Sequence, residues 1–364
     1  MFLPQLKVII SGGGTGGHIF PAIAIANALK EKVKEIDFLF VGAEGRMEME
    51  KVPAAGYRIE GLWISGLQRR LTLKNLAFPL KVISSLMKAK RILKRFRPDV
   101  VIGTGGYASG PMLRVAASRG IPTLIQEQNS FPGITNKLLA GKVDRICVAY
   151  QGMEKYFPAA KLVLTGNPVR QEVVMLDGKH EPALAHFGLE GSKKTILIIG
   201  GSLGARTINE SIAASLRLFS EQGIQLIWQT GKSYYGKAKT MESGSVKVFD
   251  FISRMDLAYA AADLVISRAG AISVSELCLT GKAAILVPSP NVAEDHQTKN
   301  AMALADKEAA WLVKDGEAVE KLGKRAVDLV NDAITLERLR MNISKLAVRD
   351  SAGRIADEVL KLVK

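Results

Sequence analysis

Three segments of the chain concentrate residue types that bind anions or move protons. The first is Ser11-Gly12-Gly13-Gly14-Thr15-Gly16-Gly17-His18, where Gly12, Gly14 and Gly17 satisfy the spacing of a dinucleotide loop. Glycines so placed let backbone N–H groups approach a phosphate at a helix start. His18 adds a group that exchanges protons near neutral pH, and a helix N-terminus favours the neutral imidazole that a general base requires. The second segment, Gly200-Gly201-Ser202-Leu203-Gly204-Ala205, offers N–H groups and the Ser202 hydroxyl to an anion. It is not a P-loop, because no Gly-Lys-Ser/Thr follows, and Arg170 and Arg268 are expected nearby as counter-charge. The third, Ala271-Ile272-Ser273-Val274-Ser275-Glu276, opens a helix. Glu276 suits the diol of a ribose, although a glutamate near a helix start more often serves only the dipole.

Two further blocks are polar where a strand should end. Gln126-Glu127-Gln128-Asn129 follows the predicted strand 123–125, and Asp295-His296-Gln297 with Asn300 follows the predicted strand 284–288. No Asp-x-Asp and no His/Cys cluster occurs, so phosphate charge is expected to meet helix ends and arginines, with no metal and no cofactor.

The elements that must position these residues show one grammar used twice. Apolar runs at 7–10 and 195–199 enter the two glycine loops and then helical patterns. Runs at 99–102 and 263–266 enter Gly103-Thr104-Gly105-Gly106-Tyr107 and Ser267-Arg268-Ala269-Gly270. Short β-branched runs alternating with helical patterns predict two doubly wound parallel sheets, each loop at a carboxyl edge. Facing each other, the two would bring four glycine loops to one cleft. The expected domains are 1–165 and 166–345, with the join near Gly166-Asn167-Pro168 and an irregular stretch running on to about 194. The last helical pattern, within 346–364, fits either domain and could pack back on the first.

Length and composition agree with two cored domains: 364 residues, 48% hydrophobic, with two cysteines at no metal or redox spacing. No apolar run is long enough to span a bilayer and no signal peptide is evident, so a cytosolic chain is expected. The net charge of +15 is lopsided, residues 1–165 holding 24 Lys and Arg against 11 Asp and Glu. The segment 69–97 has ten basic residues, no acidic one, and interleaved leucines and isoleucines. An anionic membrane surface selects such a pattern, and nucleic acid is excluded as a partner for want of a recognisable binding module. The plain alternative is a solvated surface helix.

Taken in order, Gly13-Gly14-Thr15-Gly16-Gly17-His18, the 103–107 loop, Glu127-Gln128-Asn129, Gly166-Asn167-Pro168-Val169-Arg170, Gly200-Gly201-Ser202 and Ser273-Val274-Ser275-Glu276 form a specific series. It resembles the MurG family of bacterial cell-wall glycosyltransferases, the undecaprenyl-diphospho-muramoylpentapeptide β-N-acetylglucosaminyltransferases, from about residue 7 to 300. The resemblance implies the GT-B fold of two Rossmann-like domains facing across a cleft. It implies inverting transfer of GlcNAc from UDP-GlcNAc to the muramoyl 4-hydroxyl of lipid I, giving lipid II for peptidoglycan, at the cytoplasmic face of the cell membrane. By position it places Thr15, Gly16, Gly17, Asn129, Arg170, Ser202, Ile252, Ala271, Ile272, Ser273, Val274, Ser275, Glu276 and Gln297 at substrate. Gly103, Thr104, Gly105, Gly106 and Tyr107 form an acceptor loop, and His18 is the base with Glu127 in reserve. The sequence departs from the family at Gln126, where His is common, at Leu203, where Gln is common, and at Ser253-Arg254, where an acidic pair is common after Ile252. The competing expectations are another GT-B enzyme, such as a lipid glucosyltransferase or a UDP-GlcNAc 2-epimerase, and an NAD-dependent oxidoreductase using Glu44 as its ribose acid.

Overall fold

The computed structural model describes residues 5–66, 78–169, 171–201, 203–292 and 295–363. Arg170, Ser202 and the 69–77 part of the basic stretch lie outside the described residues. The chain divides into two units, 1–169 with 350–364, and 170–349.

In the first unit, β1 (Leu6–Gly12), β2 (Ile36–Ala43), β3 (Ile59–Leu62) and β4 (Val100–Gly105) are followed by β5 (Thr123–Glu127), β6 (Arg145–Val148) and β7 (Leu162–Leu164). Among the described residues they form one sheet in the order β3-β2-β1-β4-β5-β6-β7, every pairing parallel. Side chains alternate faces along a strand. Ile9, Leu39, Val101, Ile125 and Ile146 therefore pack on one side with Ala89, Ile92 and Leu93 of the helix Phe78–Phe96 and with Met112 and Leu113 of the helix Ser109–Ala117. Val8, Ile10, Phe38, Val100 and Leu124 pack on the other with Ile19, Ile25 and Leu29 of the helix Gly16–Lys32. The helix Ser351–Leu362 joins this second face through Ile355, Ala356 and Val359, and Lys32 meets Asp357 at 2.6 Å. So the C-terminal helix belongs to the first unit. The join falls after Val169, because Asn167 is held within that unit by bonds to Gln126 and Gln128.

The second unit repeats the plan with β8 (Thr195–Ile199), β9 (Gln225–Gln229), β10 (Val246–Phe249), β11 (Leu264–Ser267), β12 (Ala284–Leu286) and β13 (Trp311–Leu312). Their order is β10-β9-β8-β11-β12-β13, again parallel. Leu197, Ile227 and Val265 face Tyr259 and Leu277, while Ile196, Ile198 and Trp228 face Ile208, Ile212 and Leu322.

The stretch expected to be irregular is a correction. It contains the helices Gln171–Val174 and His180–Phe187, the latter burying Ala183, Leu184 and Phe187 and ending on left-handed Gly188. Two turns are too short to print a period against polar neighbours. Among the described residues no helix is long and apolar enough to cross a membrane.

Candidate active site

Both strand orders reverse direction beside the first strand of their unit, between β1 and β4 and between β8 and β11. In open parallel sheets the crevice outside the carboxyl ends at such a switch point is where ligands bind. The four glycine loops are the loops that leave these four strands.

In the first unit the two loops interlock. The Gly13 N–H donates to the Gly105 carbonyl at 3.3 Å. A Cβ on Gly106 would lie 2.3 Å from the Gly13 carbonyl oxygen, and one on Gly105 would lie 2.7 Å from the His18 ring. Both glycines have positive φ, so the loop needs them twice over. His18 occupies the first turn of Gly16–Lys32, which begins inside the glycine loop because Gly16 and Gly17 are helical. Its Nδ1 lies 2.8 Å from the Thr104 carbonyl and 3.2 Å from Gln128 Oε1. A carbonyl can only accept, so Nδ1 carries the proton and the neutral ring has its lone pair on Nε2. Thr15 is exposed, and Tyr107, 53% exposed, leans over Gly66.

Glu127 behaves differently from an edge residue. Gln126 and Glu127 are the last two residues of β5 and are buried. One Glu127 oxygen accepts the Asn129 N–H at 3.0 Å and its Nδ2 at 3.2 Å. The other accepts the Gly133 N–H at 3.1 Å and Asn136 Nδ2 at 2.8 Å. With both oxygens committed inside the unit, this carboxylate shapes the 128–133 turn and holds Asn129. Gln126 donates to Asn167 at 3.0 Å, and Asn167 donates to the Gln128 carbonyl at 3.0 Å. Asn136 has no signal in the sequence, because a buried amide leaves no periodic signature, and the block containing Gln128 does not show that its side chain reaches Thr104 and His18. Glu44 pairs with Lys88 at 2.9 Å.

In the second unit the 200–205 loop is pressed against the exit of β9. A Cβ on Gly204, at φ +79°, would sit 2.0 Å from the Thr230 carbonyl oxygen. Gln229 bridges two segments, donating to the Gly201 carbonyl at 3.2 Å and accepting the Ile252 N–H at 2.9 Å. Leu203 is 79% exposed. The loop leads into the helix Arg206–Glu221, whose N-cap Ala205 has no side chain to spend on the first N–H groups. Ala271, Ile272, Ser273, Val274, Ser275 and Glu276 lie in the helix Ala271–Thr280 after β11. Glu276 accepts the hydroxyl of buried Tyr259 at 2.9 Å, a partner the sequence did not reveal. Gln297 accepts the Ser289 N–H at 2.9 Å, tying the loop after β12 to the helix His296–Ala305.

Arg268 corrects an expectation. Its guanidinium donates to the carbonyls of Val287 at 3.0 Å and Pro288 at 3.2 Å and is ion-paired with Asp315, which also accepts from Thr207 at 3.0 Å. It fastens the loops after β11 and β12 together, and its charge is already met. Among the described residues no cluster is arranged to hold a metal. Burial pushes the thiols of Cys147 and Cys278 up to about 12, so neither is a nucleophile.

The model of the glycosyltransferase family 28 N-terminal domain matches residues 8–148, and that of the family 28 C-terminal domain matches 195–355. The chain belongs to glycosyltransferase family 28. The family 28 chain has near full-length relatives. It is 56% identical over 357 residues to a UDP-N-acetylglucosamine–N-acetylmuramyl-(pentapeptide) pyrophosphoryl-undecaprenol N-acetylglucosamine transferase of Cytophaga hutchinsonii, covering 98% of this chain and 97% of that one. It is 57% identical over 363 residues to the protein of the same description in Parabacteroides distasonis, covering 99% of each. The crystal structure of Acinetobacter baumannii MurG superposes with a TM-score of 0.79 at 28% identity, covering 98% of this chain and all of that one. The resemblance carried by the ordered blocks thus extends over almost the whole family 28 chain. Both halves have the expected parallel doubly wound GT-B architecture, and the protein is a glycosyltransferase.

Proposed function

We propose that this glycosyltransferase moves GlcNAc from UDP-GlcNAc to the muramoyl 4-hydroxyl of lipid I, forming lipid II with inversion. The observation that carries this reading is identity above one half, along both units, with relatives described by that transfer. An NAD oxidoreductase would leave the second unit's glycine loop and Glu276 without a purpose.

The chemistry is one in-line displacement. His18 Nε2 takes the proton of the 4-hydroxyl as that oxygen attacks the anomeric carbon. The bond from that carbon to the UDP oxygen breaks on the opposite face, and UDP leaves with the electron pair. The Nδ1–Thr104 contact supports this assignment, since it fixes the tautomer a base requires. Such a base contributes about 10²–10⁴-fold. On the donor side, N–H groups of the 200–205 loop, Ser202 and Arg170 receive the diphosphate, Glu276 the ribose, and Ile252 and Gln297 frame the nucleotide sugar. Thr15, Gly16, Gly17 and Asn129 lie toward the reacting sugars, and the 103–107 loop toward the acceptor.

A peripheral site on an anionic membrane surface completes the reading. The helix Phe78–Phe96 buries Ser85, Ala89, Ile92 and Leu93, and a second stripe of Leu80, Ile83 and Met87 is exposed at 50–62%. Exposed Lys90, Arg91 and Lys94 continue along it. Apolar side chains beside lysines and arginines suit an acidic lipid interface.

The test is UDP release from UDP-GlcNAc with and without lipid I, and from UDP-glucose with the same acceptor. Acceptor-dependent release from UDP-GlcNAc with a GlcNAc-bearing lipid product is expected. Epimerised sugar without acceptor, or preference for UDP-glucose, would sink the assignment.

A further inference from the structure

Glu48 is an acidic side chain with no exposed surface, and the transfer described above makes no use of it. It opens the short helix Glu48–Ala54 after β2. Its Oε2 accepts the Gly14 N–H at 2.9 Å and its Oε1 accepts the Ala43 N–H at 2.9 Å. Burying an acid is costly unless hydrogen bonds offset the lost water. Here both oxygens meet backbone donors, one from the first glycine loop and one from the end of β2.

The fit is close enough to dictate its neighbours. A Cβ on Gly13 would lie 2.1 Å from Glu48 Oε1, and one on Gly42 would lie 2.5 Å from Glu48 Cγ. Gly14 itself has φ +85°, a left-handed conformation that aims its N–H at the carboxylate. Within the first glycine loop, Gly13 therefore leaves room for a side chain of the protein's own, and the fingerprint glycine Gly14 spends its N–H on it.

The contacts continue from Glu48 to His18. Gly14 precedes Thr15, whose carbonyl receives the N–H of His18 at 3.1 Å and of Ile19 at 3.2 Å. Gly13 is bonded to Gly105, one residue from the Thr104 carbonyl that holds the imidazole. Backbone and ring of His18 are thus set by two loops, and the first of them rests on Glu48.

We propose that Glu48 is a positioning residue of the transfer reaction, a built-in anion that braces the first glycine loop and so aims His18. The proposal rests on the reading of His18 as the base.

Glu48→Gln keeps the shape but turns an amide donor toward a backbone N–H, and Glu48→Ala empties the position. Each full-length variant is assayed for acceptor-dependent UDP release, with its melting temperature and a UDP-GlcNAc titration as controls. The expected result is a fall in kcat of about 10-fold for Glu48→Gln and about 10²-fold for Glu48→Ala, as for a displaced reacting group. KM for UDP-GlcNAc should stay within about two-fold, since the brace serves the transition state more than donor binding. Formate should restore part of the kcat lost in Glu48→Ala and nothing in Glu48→Gln. Unchanged kcat in Glu48→Gln, a loss confined to donor KM, or a loss that follows the melting temperature and ignores formate would each overturn the proposal. If Glu48→Ala does not fold, the Glu48→Gln outcome decides. His18→Ala in parallel separates the two ideas. If it turns over normally, the base assignment and this role fall together; if it is inactive while Glu48→Gln is normal, only the Glu48 role falls.

Discussion

Thr104 holds His18 twice, its carbonyl accepting the imidazole Nδ1–H at 2.8 Å and its Oγ1 donating to the His18 carbonyl at 2.9 Å. Thr104 has no exposed surface, so its hold on the ring is shielded from water. One residue thereby sets the tautomer, the ring plane and the first helical turn.

His18→Ala should lower kcat by about 10²–10⁴-fold while leaving UDP-GlcNAc affinity unchanged. Thr104→Val keeps the carbonyl and the side-chain shape but loses the Oγ1 bond, a smaller change of about 1 kcal/mol in stability. Steady-state kinetics and urea unfolding of the pair would expose an equal loss in both, which this geometry does not allow.

Glu276 already accepts one hydrogen bond, from Tyr259, which orients its carboxylate. With Glu276 proposed as the acceptor of the ribose, Glu276→Ala should weaken UDP-GlcNAc binding by about 10- to 100-fold. Tyr259→Phe should show a smaller change of the same sign. Calorimetric titration with UDP-GlcNAc checks both, and full affinity in Glu276→Ala would remove the residue from the donor site.

Asp256 lies close to Ile252 in sequence and receives Arg254 at 2.9–3.0 Å and Lys179 at 2.8 Å. The Arg254 hydrogen bonds, aided by Lys179 and opposed by burial, hold its carboxyl well below the usual aspartate range. A folded value below the unfolded one means that the folded chain binds fewer protons. The resulting stability is present above about pH 4 and is lost as pH falls below it. Asp256→Asn should cost about 1–2 kcal/mol at pH 7, discounted because Arg254 is half exposed. In urea unfolding the gap from the parent chain should narrow toward pH 2; a constant gap would mean packing and not charge.

Vesicle binding should depend on Lys90, Arg91 and Lys94 more than on Lys88, which is paired with Glu44, or Lys81, which reaches Ser65 at 3.0 Å. Each charge near an acidic surface is worth about 1 kcal/mol. Reversing the three together should abolish flotation with phosphatidylglycerol vesicles, as should high salt. Ile83→Glu should weaken binding even at low salt, where the basic residues still attract the surface. Binding indifferent to all three conditions would make the helix an ordinary solvated surface.

The strands and loops of the site were legible because buried parallel strands read as short apolar runs that end in glycine. Thr195–Ile199 has the bounds its run predicts, and the four glycine loops fall at the two switch points. The contacts that give the loops their character were not legible. Nothing in the spacing of Arg268 says that it turns to Asp315, since the partner lies 47 residues away. Glu127 reads as an edge acid until Asn136, nine residues on, is seen bonded to it. Such pairings are settled by tertiary packing, and a linear pattern carries periodicity but not partners.

The helix Ser351–Leu362 is made after the whole of the second unit yet is part of the first, where it lies against Gly16–Lys32. During synthesis the second unit has all its residues before the first does, so Ile19 and Leu29 wait through most of translation for Ile355 and Val359. No single cut of the chain yields both units whole. A permuted gene that starts near residue 350 and runs through a linker into residue 1 would deliver the first unit as one continuous stretch.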